Sequence, residues 1–251
     1  MSGHLAIVPA YNESASIARV VAELHEQAPE FDVVVIDDGS TDDTSDRARS
    51  AGAAVLRHPY NLGIGGAVQS GYMFAAERGY DIAVQVDGDG QHDPRCLAYM
   101  LGHLREHPEL DMVTGSRFLA ADGDGFRSSA PRRAGIRIFS WVLSRIVGQQ
   151  VTDPTSGLRM AGRRGIELFA RDYPHDYPEV EAVLLMHAHQ LASTELPVKM
   201  RERAAGVSSI NSTRSLYYMI KVLLAVFVGL FRARPTVRAG EPAPVVADSG
   251  I

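Results

Sequence analysis

Three short apolar runs, each closing on carboxylates, constrain this chain more than any other feature. They are "LAIVPAYNE" from Leu5, "VVVIDDGSTDD" from Val33 and "AVQVDGDGQ" from Ala83. Each is rich in β-branched residues and too short for a core helix, so each reads as a buried strand. The stretches between them are amphipathic. Over residues 13–28, Ile17, Val20, Val21 and Leu24 fall on one helical face. Helices are also expected over 43–51, 64–78 and 94–107, and strands at "AAVLRH" and "LDMVTGS". Such alternation means βαβ units, a mostly parallel sheet and a three-layer, Rossmann-like α/β/α domain. In a sheet of this kind, ligands collect at the carboxyl ends of the strands. Glu13, Asp37, Asp38, Asp87 and Asp89 should therefore converge on one rim.

After residue 117 the rhythm breaks. "FLAADGDGFRSSAPRRAG" is polar, glycine-rich and longer than compact connections usually are. A helix over 134–147, a loop "DPTSGLR", a helix over 180–189 and a strand "STELPVKM" are expected to follow. The stretch "SLYYMIKVLLAVFVGLF", residues 215–231, is almost wholly apolar and is bracketed by Arg214, Arg232, Arg234 and Arg238. As a helix it reaches about 25 Å, short of the roughly 30 Å hydrocarbon core, and Lys221 sits inside it. A helix lying in the membrane interface fits better than a span, with a buried core helix and a partner-docking helix as rivals. The division expected is a catalytic domain over 1–212, an apolar and basic helix over 213–234, and a proline-rich disordered tail over 235–251.

The net charge of -5 argues against a bulk electrostatic grip on nucleic acid. A single cysteine, Cys96, allows no internal disulfide, and the start "MSGHLAIVPA" lacks the basic region and long apolar core of a secretory signal. Both point to the cytoplasm, and Cys96 reads as a packing residue.

Several carboxylates on one rim repel one another unless a cation sits among them. Asp87 and Asp89, one glycine apart, and Gln91 two residues on, offer only oxygen donors, which suits a hard ion such as Mg²⁺ or Mn²⁺. His92 is either a further ligand or a loop hydrogen-bonder. Taken alone, each acidic motif is equally a polar turn, and "DDGSTDD" is equally an N-cap turn for the next helix.

Five motifs in order, "VPAYNE", "VVVIDDGSTDDT", "NLGIGGAVQSG", "VQVDGDGQHDP" and "GSR", resemble the family 2 inverting glycosyltransferases of GT-A fold. "VTDPTSGLR", "YPEVEAVLLMH" and "ELPVKMRERAAGVSSI" extend the resemblance toward the dolichyl- or polyprenyl-phosphate mannose synthase branch. The resemblance implies that Pro9, Tyr11 and Glu13 line a nucleotide-sugar pocket, with Asp38, and Asp37 beside it, on the base or ribose. Asn61, Gly63 and Gly66 would shape the nucleotide-side loop. Asp87, Asp89 and Gln91 would hold the metal, and Asp89, Arg117, Asp153 and Arg159 would form the catalytic set. Ser156 joins Arg117 near the sugar and acceptor phosphate. Arg132, Arg133, Lys199, Arg201 and Arg203 supply further positive charge suited to a phosphate head.

The expected reaction moves a sugar from a UDP- or GDP-sugar to polyprenyl or dolichyl phosphate. The lipid product would serve cell-envelope glycan or protein glycosylation, at the cytoplasmic face of the cell membrane. A small membrane protein or a second copy of the chain is a further candidate partner. One rival is a transferase using a sugar hydroxyl, with Glu179 or Glu181 as base. The other is a non-catalytic nucleotide-sugar-binding scaffold at the membrane.

Overall fold

The structure is a computed structural model that describes residues 3–119, 130–175 and 177–201, with backbone alone over 130–136. Seven strands form one sheet: β1 (His4–Ala10), β2 (Phe31–Asp37), β3 (Ala54–Arg57), β4 (Ile82–Gln85), β5 (Met112–Ser116), β6 (Arg159–Gly162) and β7 (Ser193–Pro197). Their order is β3-β2-β1-β4-β6-β5-β7. All pairs are parallel except those of β6, which runs antiparallel to both β4 and β5.

The strand residues alternate between two cores, as the two faces of a pleated sheet require. On one face Ala6, Val8, Val33, Val35 and Val84 meet α1 (Ile17–Gln27), α2 (Thr44–Ser50) and α4 (Arg95–Glu106). On the other, Leu5, Ile7, Val34, Ile36 and Ala83 meet α3 (Gly63–Arg78), α6 (Arg163–Arg171) and α7 (Pro178–Ala188). The three-layer expectation therefore holds. A smaller third cluster joins Phe139, Leu143 and Val147 of α5 (Ala130–Val147) to Tyr177, Val180 and Val183 of the α7 region.

Four elements, α1, α5, β6 and α6, depart from the sequence reading. Helix α1 begins at Ile17 rather than residue 13, because residues 12–14 are held by the neighbouring loop after β2. The Asn12, Glu13 and Ser14 N–H groups donate to Ser40 Oγ, Thr44 Oγ1 and Asp42 Oδ2 at 2.9, 2.9 and 3.2 Å. Between the "DPTSGLR" loop and α7, where no element was expected, the chain forms β6 and α6. Strand β6 is only four residues long and α6 only nine, shorter than the stretch over which an apolar period is read, although Ile166, Leu168 and Phe169 of α6 do turn inward. Helix α5 also starts four residues earlier than expected. Cys96 is structural: its thiol donates to Asp93 O at 2.9 Å, and burial pushes it up to about 12.

No helix among the described residues is long and apolar enough to cross a membrane. The stretch 215–231, Arg203 and the expected tail lie outside the described residues.

Candidate active site

Parallel pairing brings the acidic strand ends together. Ala10 lies opposite Asp37, and Ile7 opposite Gln85, so β1, β2 and β4 end on one edge. Asp38 N–H donates to Ala10 O at 2.9 Å. On the other side of β1, a Cβ at Gly88 would lie 3.0 Å from Pro9 O and 3.4 Å from Ala10 Cβ. Asp38 and the Asp87–Asp89 segment thus flank the same strand end, about 10 Å apart at the usual strand spacing.

The rim carboxylates divide into two kinds. Asp37 is fully buried, with Oδ1 accepting from Ser40 N–H at 2.8 Å and Oδ2 from the Ser45 hydroxyl. Asp38 is 3% exposed, and its oxygens accept the Leu62 and Gly63 N–H groups at 2.8 and 2.9 Å and contact His58 Nδ1 at 2.8 Å. Both were expected at the base or ribose. In this structure their oxygens are taken up by the protein, and Asp38 acts by shaping the turn at Asn61 and Gly63. Asn61 Oδ1 accepts the same Gly63 N–H at 2.9 Å. Gly39, at φ +74, lets that turn approach, since a Cβ there would lie 2.7 Å from Tyr60 C. Gly66 is buried, where a Cβ would meet Leu62 Cβ at 2.7 Å.

Burial alone would raise the Asp37 carboxyl, but hydrogen bonds from Ser40 and Ser45 and the nearby Arg57 cation outweigh it and hold it below its ordinary value. A depressed folded-state value adds stability that is present above the unfolded value and lost as pH falls through the folded one. Asp37→Asn should therefore lower stability at pH 7 by about 1–3 kcal/mol and flatten its fall below pH 4. Urea unfolding between pH 3 and 7 measures both, and an unchanged acid limb would contradict the assignment.

Asp87 and Asp89 are different. The Asp87 side chain is 36% exposed; Oδ1 accepts from Gln85 Nε2 at 3.2 Å, and Oδ2 lies 3.7 Å from His92 Nε2. His92 Nδ1 accepts the Asp87 N–H at 3.0 Å, which leaves Nε2 as the protonated nitrogen of the neutral ring. Nε2 is buried and has no hydrogen-bond partner. Of its two expected roles, His92 takes that of loop hydrogen-bonder. Asp89 Oδ1 accepts the Gln91 N–H at 3.0 Å. Tyr11 is 48% exposed on the same rim, and Glu13 Oε2 accepts the Ser16 hydroxyl at 2.7 Å.

Because β6 is antiparallel, its first residue lies at this rim: Arg159 stands opposite both Gln85 and Thr114. The preceding loop is thereby pressed onto Asp87, and a Cβ at Gly157 would lie 2.9 Å from Asp87 Oδ2. Arg159 itself is 1% exposed, with Nε donating to Ser156 O at 3.1 Å and Nη2 to Glu179 O. It floors the site. Ser156 is likewise committed, its hydroxyl donating to Gly115 O at 2.6 Å.

Arg117 makes a planar two-point pair with Asp153, Nε to Oδ2 and Nη2 to Oδ1 both at 2.6 Å, and Nη2 also reaches Thr155 Oγ1 at 2.7 Å. Asp153 is fully buried, and Glu195, absent from the sequence reading, braces the loop by accepting the Thr152 and Asp153 N–H groups at 2.7 and 3.2 Å. Arg201, expected on the acceptor phosphate, pairs in this structure with Glu23 and Asp93, the latter at 3.0 Å. It ties the segment after β7 to Glu23 of α1 and to Asp93 just ahead of α4. The side chains of Arg132 and Arg133, like Arg203, lie outside the description.

Glu179, at the start of α7, has its carboxyl raised, chiefly by burial and further by Asp87, with Arg159 and Arg117 opposing. Tyr72 and Tyr173 pack beneath, ring centroids 5.7 Å apart, and burial raises both phenols. Neither phenol is legible in the sequence as part of the site, since a buried aromatic, on a helix like Tyr72 or just past one like Tyr173, looks like ordinary core.

Glycosyl transferase family 2 matches over residues 5–169. The chain is 30% identical over 228 residues to undecaprenyl-phosphate mannosyltransferase of Micrococcus luteus, covering 82% of this chain and 87% of that protein. It is 29% identical over 245 residues to polyprenol monophosphomannose synthase of Mycolicibacterium smegmatis, covering 93% and 91%. Among solved structures, glucosyl-3-phosphoglycerate synthase from Mycobacterium tuberculosis with Mn²⁺, UDP and phosphoglyceric acid shares the fold. Its TM-score is 0.67 at 20% identity, over 91% of this chain and 78% of that one. Matched motifs, a sheet with one antiparallel insertion and an acidic rim beside a clamped arginine lead to one conclusion: the chain is a glycosyltransferase and belongs to glycosyl transferase family 2.

Proposed function

We propose that the protein transfers a sugar, with inversion, from a nucleoside diphosphate sugar to polyprenyl phosphate, using Mg²⁺ or Mn²⁺, at the cytoplasmic face of the cell membrane. One observation carries the reading: the partly exposed Asp87–Asp89 segment after β4, Arg117 after β5 and Asp153 ahead of antiparallel β6 are delivered to the same rim. The similarity to two polyprenyl-phosphate mannosyl enzymes supports the lipid acceptor.

The donor set fits a hard divalent ion. No cluster of three or more His, Cys, Asp or Glu capable of holding a metal exists among the described residues. Such a site holds an ion through one or two carboxylates, with the rest of the shell from substrate phosphates and water, which is the habit of Mg²⁺. Asp87, Asp89 and Gln91 would hold it, and when bound it neutralises charge developing on the departing diphosphate.

The chain's own residues do the rest. Gln85 Nε2 and Gly157 bracket the Asp87 carboxylate and limit its rotation. The turn that Asp38 organises, with Tyr11 and Glu13, bounds the nucleoside side. Arg117, locked by Asp153 and Thr155, is a preorganised cation for an acceptor phosphate. A phosphate acceptor is already anionic, so positioning replaces a general base.

Incubation with labelled UDP- and GDP-sugars, polyprenyl phosphate and Mn²⁺ should yield a solvent-extractable lipid-linked sugar, and exhaustive chelation should abolish it. Turnover that survives chelation would defeat the metal assignment. The raised carboxyl of Glu179 favours a second reading, with a hydroxyl acceptor and Glu179 as base. Glu179→Gln separates the two: abolished turnover supports the base, whereas a loss under about tenfold supports the phosphate acceptor.

A further inference from the structure

Helix α5 is apolar on two sides. Its inner side, Phe139, Leu143 and Val147, packs into the cluster shared with α7. Its outer side presents Ile138 and Trp141, 59% and 63% exposed, and Arg145 lies 5.7 Å from the Trp141 ring centroid. Between Trp141 and Phe118 opens a groove of about 390 Å³ that Arg137 also lines and that ends at Thr152, next to Asp153. From residue 125 to 152 the sequence carries five arginines and no Asp or Glu, in a chain whose net charge is -5.

An exposed tryptophan and isoleucine among arginines are the composition of a surface that meets a headgroup layer: the amphipathic ring takes the boundary and the guanidinium groups take anionic lipid. We propose that the outer face of α5 docks on an anionic lipid bilayer, with Trp141 at the boundary and the groove leading toward Arg117. The apolar stretch 215–231 is a poor occupant for this face, because residues 203–240 carry basic side chains and no Asp or Glu, so like charges would meet. The proposal deepens the lipid-phosphate reading and rests on it for its purpose, while docking itself is measured without any reaction.

Trp141 is the sole tryptophan of the chain, so its fluorescence reports this face alone. The full-length protein is mixed with vesicles of phosphatidylglycerol and phosphatidylcholine, or of phosphatidylcholine alone, and followed by flotation and by emission. Expected are flotation with the anionic vesicles, a blue shift of emission, and quenching by lipids brominated on the acyl chain. Arg137→Glu with Arg145→Glu should weaken partition by at least about tenfold, and Ile138→Ser should weaken it while keeping the probe. Circular dichroism checks that both variants fold.

Flotation with unmoved Trp141 emission would place docking elsewhere and overturn the proposal, as would absence of flotation. So would a Trp141 already shielded from acrylamide before vesicles are added, since the face would then be covered by another segment or a second copy. Transfer to detergent-dispersed polyprenyl phosphate is assayed in parallel. Its failure strikes the functional reading and leaves the docking result standing.

Discussion

Asp87→Asn and Asp89→Asn should each lower sugar transfer by about 10²–10³-fold while the protein keeps its fold. The substitutions preserve shape and remove charge. Asp87 is more than a third exposed, and Asn at 89 still offers an oxygen to the Gln91 N–H, so the turn between them is kept. What is lost is the negative charge that an ion would need beside the diphosphate. Activity with labelled donor, read beside thermal unfolding, separates the effects. The stabilisation that a nucleoside diphosphate with Mn²⁺ confers on the parent should also vanish in the variants. Near-normal transfer by both would remove Asp87 and Asp89 from the centre of the mechanism.

Asp153→Ala should destabilise the protein by about 3–5 kcal/mol. Asp153 is fully buried and takes three hydrogen bonds from Arg117, one of them from its backbone N–H, and one from the Thr155 hydroxyl. Truncation takes from the guanidinium group, whose side chain is only 11% exposed, the carboxylate that clamps it. Replacing both partners with apolar residues, Arg117→Met with Asp153→Leu, should cost less stability than Asp153→Ala alone, because no charge is then left unpaired. Chemical denaturation of the parent, Asp153→Ala and the double variant tests this, and a double variant less stable than Asp153→Ala would contradict it. Arg117→Lys tests the catalytic half of the claim. It keeps the charge but loses the planar fork, so transfer should fall more than stability does.

The site was unevenly legible. The β1, β2 and β4 ends could be read because a β-branched run followed at once by carboxylates marks both a strand and where it stops. Asp37 and Asp89 looked alike at that stage, although one is sealed among Ser40, Ser45 and Arg57 and the other faces the rim. Nothing local distinguishes them, since the difference lies in which N–H and hydroxyl donors the fold brings near. The pairing of Arg201 is hidden for the same reason: its partners, Glu23 and Asp93, are 178 and 108 residues away in sequence. Glu195 passed unnoticed because one acid in a short strand carries no pattern.

By itself, the sequence determined that this chain builds a layered α/β domain with an acidic edge. Parallel strands all point one way, so residues that follow each of them must share a side. Tertiary structure alone decided that 153–159 joins that edge, for β6 enters the sheet reversed between β4 and β5 and so begins where they end. It also decided which charges remain available for chemistry, because burial and long-range pairing, invisible in local spacing, consume the others.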